Sequence, residues 1–435
     1  MSKPHILIIG SGWAGFYLAS YLSTSAYSIT IISPRRTSAY TPLLASAACG
    51  LFNFYLAEEP VRSKSRSSIK YHKANVISIT FSTQTAHCIP AFDSPSPSSS
   101  DISNQPFDIP YDHLIIAPGC GTNTFSTPGV TTHALFLKNV SDAMTIRKLL
   151  FDLLEKASLP TCTPSLAASL LHVAIVGGGP TGVEMAAELD DLAHHELRDM
   201  YPEVAPYIRI SIWDVAPNIL GAYDRKLYEY ANERLVRRNI AVETGAHIEK
   251  VEQGAFWTKE KGKVDCGMLV WATGNKAVDL TESLDVRKTT RGLVRILTDS
   301  HLRVYKSKAE DGDEVFENVF GLGDAADIEG ASLPTTAEVA CQKAKYLVDF
   351  FNDRAKTNPP SAKPFEYQQK RLVSYIGSHD GVIAGRGDQE GWTGRSAWLA
   401  WRSGSVMWTR SWRHRLVILL TWLLNSIFGK EIAKM

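Results

Sequence analysis

Two stretches of the chain share one pattern, in which an apolar run meets three spaced glycines and then an amphipathic segment. The first copy covers residues 5–22 and the second covers residues 173–189. Their glycines follow the spacing G-x-G-x-x-G, at Gly10, Gly12, Gly15, Gly177, Gly179 and Gly182. Short apolar runs are typical of buried parallel strands, and the periodic segments after the glycines are typical of helices. The pattern therefore predicts two copies of a strand, a glycine turn and a helix.

Each glycine of such a turn has its own task. The first makes the tight bend, the second lets the backbone approach a pyrophosphate, and the third lets the helix pack on the strand. The helix start then offers N–H groups and a positive dipole end to the phosphates. Two lobes that each bind a dinucleotide are predicted. The expected contacts in the two turns are Gly10, Ser11, Gly12, Trp13, Ala14, Gly15, Gly177, Gly179, Pro180, Thr181 and Gly182.

Further apolar runs complete an α/β fold with two Rossmann-like dinucleotide-binding domains. Residues 69–80 predict a pair of strands, and a helix is expected from about Thr335 to Phe351. Single strands are predicted at 27–33, 111–119, 209–214, 268–275 and 318–327. Additional candidates for cofactor contact along these strands and at their ends are Val76, Ala117, Gly119, Gly274, Gly323 and Asp324. The last of these, Asp324, suits a polyol chain or a helix cap equally well.

The residue that ends the second strand of each lobe predicts how the ribose is held. A carboxylate there binds the ribose 2′-hydroxyl and repels a 2′-phosphate. Asp214 ends this strand in the second lobe, which favours NADH over NADPH. The first lobe instead has Ser33, Pro34, Arg35 and Arg36. The serine can accept a ribose hydroxyl and an arginine can face phosphate or adenine, with arginines exposed on a surface loop as the equal alternative.

Composition excludes several other classes of protein. The 435 residues suffice for two or three domains, and 44% hydrophobic with 21% charged residues is the balance of a globular protein. A net charge of +1 gives no support for nucleic-acid binding. The six cysteines form no C-x-x-C pair, which argues against a zinc site and a dithiol reductase and fits a reducing compartment. No metal site is predicted.

Signals for targeting or membrane spanning are not visible. The first strand begins near residue 5, which leaves no room for a presequence in this chain, and no apolar stretch reaches 18 residues. The Ser/Pro-rich segment 91–106 is expected to be a disordered surface excursion, with a recognition segment as the alternative.

The C-terminal tail is rich in tryptophan and in cations. A helix over 395–413 would place four tryptophans within one narrow arc. They are Trp398, Trp401, Trp408 and Trp412. The apolar run 416–428 is too short to span a bilayer. Apolar faces bordered by Lys and Arg are typical of a helix lying in a membrane interface. The alternative is a helix packed against a core or a second chain.

Eight segments in order along the chain resemble the alternative, or type II, NADH:quinone oxidoreductases, in particular the fungal mitochondrial ones. They are LIIGSGWAG, TIISPRRTSAYTPLL, YDHLIIAPG, VAIVGGGPTGVEMAAEL, LVWATGN, NVFGLGDAAD, SYIGS and FGKEI. The resemblance implies non-covalent FAD in the first lobe and NADH in the second. It further implies that electrons pass from NADH through FAD to a membrane quinone without proton pumping, and that a C-terminal region holds the enzyme on the membrane.

The resemblance also implies roles for individual residues. Ser33–Arg35 would bind the adenosine end of FAD, Thr41 and Pro42 would lie near its flavin, and Asp324 would bind its ribityl chain. Glu184, just inside the helix of the second lobe, matches a family glutamate proposed to act near nicotinamide and quinone. The alternative is a first-turn glutamate that only stabilises the helix dipole.

One segment departs from the family pattern. After the FAD-binding aspartate the family reads close to A-Q-x-A-x-Q-E and lines the quinone pocket. This chain has Ala337, Glu338, Cys341 and Lys343 in that segment. The first three are the candidate quinone contacts. A charged Glu338 in place of a neutral amide is expected to change the hydrogen bonding to a quinone carbonyl, so the acceptor is the least determined part of the assignment.

Two other functions stay open. One is an NAD(P)H oxidoreductase like the apoptosis-inducing factors, with a different acceptor, and the other is a nucleotide sensor that docks on membranes without redox activity. Family habit suggests a homodimer at the mitochondrial inner membrane. The expected division is an FAD-binding domain at 1–165 and 288–365, an NADH-binding domain at 166–287, and a membrane-anchoring or dimerisation region at 366–435.

Overall fold

The computed structural model describes residues 2–92, 105–307, 314–355, 363–386, 389–430 and 432. The chain forms two compact units. The first unit comprises Met1–Ser38, Glu59–Gly121 and Asn275–Gln368. The second unit comprises Ala39–Glu58, Thr122–Gly274 and Gln369–Met435. Most of the Ser/Pro-rich segment 91–106 lies outside the described residues, so its expected excursion stays a prediction.

The secondary structure alternates between strands and helices over most of the chain. In chain order the strands are β1 His5–Ile9, β2 Ser28–Ser33, β3 Thr37–Ala39, β4 Glu58–Pro60, β5 Lys70–Thr80, β6 Thr85–Pro90, β7 Phe107–Pro110, β8 His113–Ile116, β9 Cys120–Thr122, β10 Leu135–Phe136, β11 His172–Val176, β12 Arg209–Asp214, β13 Ala241–Thr244, β14 Ile248–Glu252, β15 Ala255–Thr258, β16 Gly262–Asp265, β17 Met268–Trp271, β18 Asn275–Ala277, β19 Ile296–Thr298, β20 Arg303–Tyr305, β21 Val315–Gly321, β22 Ala326–Ile328, β23 Val373–Gly377, β24 Asp380–Ile383 and β25 Trp392–Thr393. The α-helices are α1 Trp13–Tyr21, α2 Leu44–Ala48, α3 Val130–His133, α4 Val140–Ala157, α5 Pro164–Leu170, α6 Pro180–Leu192, α7 Arg198–Met200, α8 Arg225–Arg237, α9 Asp279–Ser283, α10 Ala337–Arg354, α11 Arg395–Trp408 and α12 Trp412–Phe428.

A ten-stranded sheet organises the first unit, in the order β22-β19-β20-β21-β8-β1-β2-β5-β6-β7. Strand β1 pairs in parallel with β2 on one side and with β8 on the other. Alternate residues of β1 enter two different cores. Ile6 and Ile8 pack with residues of α1 and α10, whereas Leu7 and Ile9 pack with residues of β5 and β6. Both faces of this strand are buried, which explains its unbroken apolar sequence.

The second unit contains a five-stranded, fully parallel sheet in the order β10-β17-β11-β12-β13. Strand β11 leads into α6, and a π-helical turn (Ala193–Leu197) connects α6 to α7. The helical path that begins at Pro180 therefore reaches Met200. Two antiparallel three-stranded sheets, β14-β15-β16 and β23-β24-β25, complete the unit. The predicted fold class, α/β with two Rossmann-like sheets, is confirmed.

The predicted pair of strands at 69–80 is wrong. These residues form the single strand β5, which pairs with β2 in parallel and with β6 in antiparallel fashion. One strand of eleven residues can pair with both neighbours because residues 70–73 pair with β2 and residues 74–80 pair with β6. Helix α10 begins at Ala337, where the hydroxyl of Thr336 accepts a hydrogen bond from the backbone N–H of Val339.

The single helix predicted over 395–413 is also wrong. Helix α11 ends at Trp408 and α12 begins at Trp412, because Thr409 has an extended backbone and the Arg410 N–H donates to the Tyr40 hydroxyl at 2.9 Å. In α11 the indole of Trp401 stacks on Tyr375 and Trp398 packs against the same cluster, so core packing explains these two tryptophans. Trp412 is 80% exposed. Among the described helices, none has the length and apolarity needed to cross a bilayer.

Candidate functional site: two dinucleotide cradles and a buried carboxyl

The first glycine turn of the first unit is fixed by backbone packing. Gly10 has φ +99°, and a Cβ added there would lie 2.1 Å from the carbonyl oxygen of Ala117. A Cβ on Gly15 would lie 2.0 Å from the carbonyl oxygen of Gly10, so α1 can cross β1 this closely only with glycine. A Cβ on Gly12 would meet nothing within 4 Å. The middle glycine therefore faces open space at the start of α1, where a pyrophosphate would lie.

Residues at the end of β2 form a small hydrogen-bonded group next to this turn. The Ser11 hydroxyl donates to the Ser33 hydroxyl at 2.8 Å, and the N–H of Arg35 donates to the same oxygen at 3.3 Å. The Tyr71 phenol donates to the carbonyl oxygens of Ser33 and Arg35 at 3.2 and 2.9 Å. Pro34 and Arg35 are exposed. A cavity of about 770 Å³ lined by Tyr71 and Arg36 opens beside this group.

The turn after β21 places an acid close to the same edge. Gly323 has φ +64°, and a Cβ there would be 4.0 Å from the Cβ atoms of Ala14 and Ala340, so α1, this turn and α10 meet at one point. The thiol of Cys120 donates to Asp324 at 3.2 Å. Asp324 is the middle residue of a short 3-10 turn (Gly323–Ala325), and the cap of α10 is Thr336, so Asp324 does not cap that helix.

Three further candidate residues belong to the first unit. Two of them follow strand β8, and the third lies on β5. Ala117 is buried and its N–H donates to the carbonyl oxygen of Ile9, while Gly119 has φ +76° and open space at its Cβ position. Val76 is buried on β5, opposite Cys88 of β6. Thr41 and Pro42 instead form a 3-10 turn (Thr41–Leu43) that belongs to the second unit.

The turn between β11 and α6 repeats the geometry of the first turn. Gly177 has φ +119°, with the Ala272 carbonyl oxygen 2.8 Å from its Cβ position. A Cβ on Gly182 would lie 1.9 Å from the carbonyl oxygen of Gly177. Gly179 again faces open space, and Pro180 and Thr181 are exposed at the first turn of α6. This second cradle therefore also fits a dinucleotide pyrophosphate.

Asp214 lies at the end of β12, as predicted, next to that turn. One carboxylate oxygen accepts the N–H of Gly178, and the other accepts the N–H of Ala216 at 2.7 Å. The two backbone donors fix the plane of the carboxylate while leaving further lone pairs available to a ribose. Gly274, after β17, has φ +76°, and a Cβ there would lie 2.8 Å from the ring of Phe125.

Glu184 is a buried carboxyl rather than a surface residue of the helix start. It is 8% exposed on α6 and accepts hydrogen bonds from the Trp401 indole N–H at 3.1 Å and the Tyr375 N–H at 3.4 Å. Burial, together with the nearby charge of Glu188, raises its pKa to about 8 in spite of these two donors. The side chain is therefore a neutral acid that can hold a proton near neutral pH.

Two more acids continue the row of Glu184 along α6, and sequence reasoning missed them. The Glu188 carboxylate accepts from the Ser46 hydroxyl at 2.7 Å, and Asp191 accepts from the Tyr375 phenol. Burial raises the pKa of Glu188 as well. The signal was present, because acids at positions i, i+4 and i+7 of an otherwise apolar helix lie on one face. Trp401 and Tyr375 carried no comparable signal, since only the tertiary fold brings them to Glu184.

The helix α10 shows its departures from the family pattern on two different sides. Ala337, Glu338 and Cys341 are half-buried, and the Glu338 carboxylate accepts from the Gln342 amide at 2.7 Å. Lys343 is fully buried and donates to the carbonyl oxygen of Ala326 at 3.1 Å. Within the described part of the chain, no group of three or more His, Cys, Asp or Glu side chains is arranged to hold a metal ion.

Comparisons with known proteins agree with two nucleotide cradles. Residues 4–344 match the family model of the pyridine nucleotide-disulphide oxidoreductases. A probable NADH dehydrogenase of Dictyostelium discoideum is 32% identical, over 100% of this chain and 92% of that protein. The mitochondrial internal alternative NAD(P)H-ubiquinone oxidoreductase A1 of Arabidopsis thaliana is 31% identical, over 99% of this chain and 86% of its own length. The structure of NDH2 from Plasmodium falciparum in complex with NADH is 25% identical with a TM-score of 0.88, and the match covers 99% of this chain and 100% of that one.

The family match spans most of the chain, and the relatives match it from end to end. The structure supplies the chemistry that this family requires, in the form of two glycine turns that each leave room for a pyrophosphate. The chain therefore belongs to the type II, or alternative, NAD(P)H dehydrogenases, oxidoreductase enzymes of the pyridine nucleotide-disulphide oxidoreductase family.

Proposed function

We propose that this chain oxidises NADH with FAD as its cofactor, reduces a membrane quinone by two electrons, and pumps no protons. The observation that carries the proposal is the pair of equivalent cradles, in which the outer glycines are sterically required and the middle glycine is open. Relatives named as NAD(P)H-ubiquinone oxidoreductases match this chain over nearly its full length, which supports ubiquinone as the acceptor.

The first unit would hold FAD, which supplies hydride acceptance and two-electron release that amino-acid side chains cannot provide. The turn Gly10–Gly15 would bind the pyrophosphate through backbone N–H groups of α1. Ser33 and Arg35 would hold the adenosine end, and Asp324 the ribityl chain. Thr41 and Pro42 are proposed as neighbours of the flavin from the family pattern alone.

The second unit would hold NADH on the turn after β11. Asp214, fixed by two backbone N–H groups, presents a carboxylate to the ribose 2′-hydroxyl. The same negative charge disfavours the 2′-phosphate of NADPH. Gly274 and the exposed Pro180 and Thr181 complete the proposed contacts. We therefore propose NADH as the preferred donor.

Glu184 is proposed as the proton donor to the reduced quinone. Formation of a quinol from a quinone consumes two electrons and two protons, and hydride from NADH brings two electrons and one proton. The remaining proton comes from solution, so the overall balance is NADH + H⁺ + quinone giving NAD⁺ + quinol. A carboxyl with a pKa near 8 holds a proton at neutral pH and can release it to the quinol oxygen. The quinone itself would contact Ala337, Glu338 and Cys341 of α10.

Helix α12 is proposed as the membrane-binding element. Its inner side packs on the second unit through the buried Ile418 and through Asn425, whose amide donates to the carbonyl oxygen of Leu51 at 3.1 Å. Its other side leaves a row of apolar side chains about half or more exposed. They are Leu416, Leu419, Leu420, Leu423, Leu424, Ile427 and Phe428. Such a face on a helix too short to span the bilayer fits the interface of a membrane.

Finer parts of the assignment also belong to the proposal. The fungal type, the homodimer and the mitochondrial inner membrane follow from family habit, and the relatives named as mitochondrial support the last of these. The domain boundaries at 165, 287 and 365 stay predictions.

An acceptor other than a quinone, as in oxidoreductases like the apoptosis-inducing factors, is the second candidate function. It is favoured by Glu338 in place of a neutral amide.

Stopped-flow absorbance of the purified, detergent-solubilised protein tests the function directly. We expect NADH to bleach the flavin absorbance and a short-chain ubiquinone analogue to restore it rapidly. Bleaching without reoxidation would transfer the assignment to the second candidate. A colourless protein that takes up no FAD would support the nucleotide sensor.

Gly12→Ala and Gly179→Ala serve as matched variants, because both added methyl groups meet open space. The first is expected to lose flavin, while the second keeps flavin and loses its fast bleaching by NADH.

Replacement of Asp214 by Asn tests the choice of NADH. The amide removes the negative charge and keeps one oxygen, so only one of the two backbone N–H groups, of Gly178 or Ala216, retains its acceptor. We expect the KM for NADH to rise and the preference over NADPH to fall by roughly tenfold each, the size of one charge-assisted hydrogen bond. Steady-state rates with both donors measure this. An unchanged preference would refute the assignment of Asp214.

Replacement of Glu184 by Gln tests proton donation. Bleaching by NADH should keep its rate, whereas reoxidation by quinone should slow by roughly 10²-fold, the low end for loss of a general acid. In the wild type the reoxidation rate should fall as pH rises through about 8, because the donor becomes ionised. This dependence should vanish in the variant. Glu203→Gln, on an exposed loop, is the control, and an equal pH profile in wild type and Glu184→Gln would contradict the role.

Polar replacements on the exposed face of α12 test membrane binding. The triple variant Leu416→Gln, Leu423→Gln and Ile427→Gln should move the protein from the liposome pellet to the supernatant. Its circular dichroism should not change, since these side chains are exposed. The control replaces Met144, Leu159 and Val236 by Gln, which are similarly exposed outside the tail. Retention of the α12 variant on liposomes would show that another surface holds the membrane.

A further inference from the structure

Two buried hydroxyl groups beside Glu184 have no hydrogen-bond partner among the described residues. They are the phenol of Tyr223 and the hydroxyl of Ser374, on side chains that are 5% and 0% exposed. A buried polar group without a partner costs free energy, and native structures leave few of them. Two such groups next to one buried acid therefore need a physical explanation.

The hydroxyl of Ser374 faces both the Glu184 carboxyl and the Tyr223 phenol. This placement follows from strand β23, because the N–H of Tyr375, the next residue of that strand, donates to Oε1 of Glu184 at 3.4 Å. The indole of Trp401 donates to the same oxygen at 3.1 Å. Within the described part of the chain no hydrogen bond reaches the other oxygen, Oε2. The two existing donors thus share Oε1, and Oε2 is left for the hydroxyls.

The backbone of Tyr223 is held by the loop that also packs on the second glycine turn. The N–H of Leu220 donates to the carbonyl oxygen of Gly178 at 2.7 Å, and the N–H of Tyr223 donates to that of Leu220 at 2.8 Å. The next residue, Asp224, caps α8 by accepting the N–H of Leu227 at 3.2 Å. The phenol is therefore fixed in place on both sides along the chain, while its hydroxyl hydrogen can still turn.

We propose that Ser374 and Tyr223 are positioning residues for Glu184, and that their hydroxyls turn to donate to its carboxylate once the acid has released its proton. The inference rests on the proposed function in taking Glu184 as the proton donor. While Oε2 holds the proton, it is a donor and a weak acceptor, so the hydroxyls stay unpaired. After ionisation Oε2 is a strong acceptor, to which Ser374 can donate while Tyr223 donates to Ser374. Neither hydroxyl gives up its own proton.

The other groups around Glu184 offer its carboxylate little help. The charged group that faces it is Glu188, one helical turn along α6, and burial together with this charge raises the pKa of Glu184 to about 8. The cations Lys430 and Arg402 face Glu188. Burial and the charge of Glu184 raise the pKa of Tyr223, so this phenol remains a neutral donor. Neutral hydrogen-bond donors are therefore what this site offers to a newly formed carboxylate.

Infrared spectroscopy of the purified protein between pH 6 and 10 tests the contact without turnover. The band of the protonated Glu184 carboxyl is identified by its loss in Glu184→Gln, and its decay with rising pH gives the pKa. We expect Tyr223→Phe and Ser374→Ala each to raise that pKa by about one unit, the size of one hydrogen bond to a charged group. Tyr228→Phe, at a half-buried tyrosine of α8, is the matched control and should leave the pKa unchanged.

The melting temperatures of the same variants separate this role from a structural one. At pH 6 Glu184 is neutral and the two hydroxyls are unpaired, so Tyr223→Phe and Ser374→Ala should melt at or above the wild type. The folded-state pKa of Glu184 is raised above its unfolded value, so the fold loses stability as pH rises, and in the wild type this loss ends near pH 8. In the variants the loss continues to higher pH, and both should melt below the wild type at pH 9.5.

Reoxidation of the reduced flavin by a short-chain quinone connects the contact to catalysis. In both variants the pH at which reoxidation slows should rise with the pKa, and the rate at pH 7 should fall about threefold, because a weaker acid donates its proton more slowly. The proposal is overturned if either variant leaves the pKa of Glu184 unchanged, if either melts below the wild type at pH 6, or if no Glu184 band exists at pH 6. If the pKa moves in both variants but Glu184→Gln reoxidises at the wild-type rate, the proposed proton donation fails while the contact stands.

Discussion

Both cradles depend on a very close approach of backbone atoms. In each, a helix crosses its strand so tightly that a Cβ on the third glycine would lie far inside van der Waals contact with the carbonyl oxygen of the first glycine, 2.0 Å at Gly15 and 1.9 Å at Gly182. The first glycine is held by a neighbouring strand end, through Ala117 in one unit and Ala272 in the other. Because these contacts fix where each helix starts, they also fix where free N–H groups meet the open middle glycine.

The two units compensate their buried charged groups differently. In the second unit the row of acids on α6 is kept partly neutral by burial, with Arg238 compensating Asp190 and Asp191 at its far end. In the first unit two cations, Arg295 and Lys343, lie near two carboxylates, Asp327 and Asp324. Burial of either set costs free energy, since desolvated charges in a protein interior are expensive. In the second unit a buried acid that holds a proton is chemically useful, which gives a functional reason for the cost.

The sequence was sufficient for the parts of the fold that depend on local pattern. Apolar runs and glycine spacing predicted β1, β11, α1, α6 and the position of Asp214, because steric demands at a glycine turn are local. It failed where a residue's role depends on distant partners. The tryptophans of α11 looked like a membrane face by periodicity, yet Trp401 packs on Tyr375 and bonds to Glu184. The carboxyl of Glu184 could be found in the sequence, but its neutral state could not, because burial is a property of the tertiary structure.

The residues of α10 that differ from the family motif lie on different sides of the helix and need separate explanations. Glu338 and Cys341 occupy the half-exposed side of the helix, where a substrate could reach them, whereas Lys343 is turned into the core towards Asp327. Residues three and four positions apart share a face, so Val339, Ala340 and Lys343 lie on the buried side of the helix and Glu338 with Gln342 on the other. If a quinone reaches the half-exposed side, as proposed, a change on the buried side does not touch it. The altered motif therefore affects two different faces, and a different acceptor does not follow from the presence of Lys343.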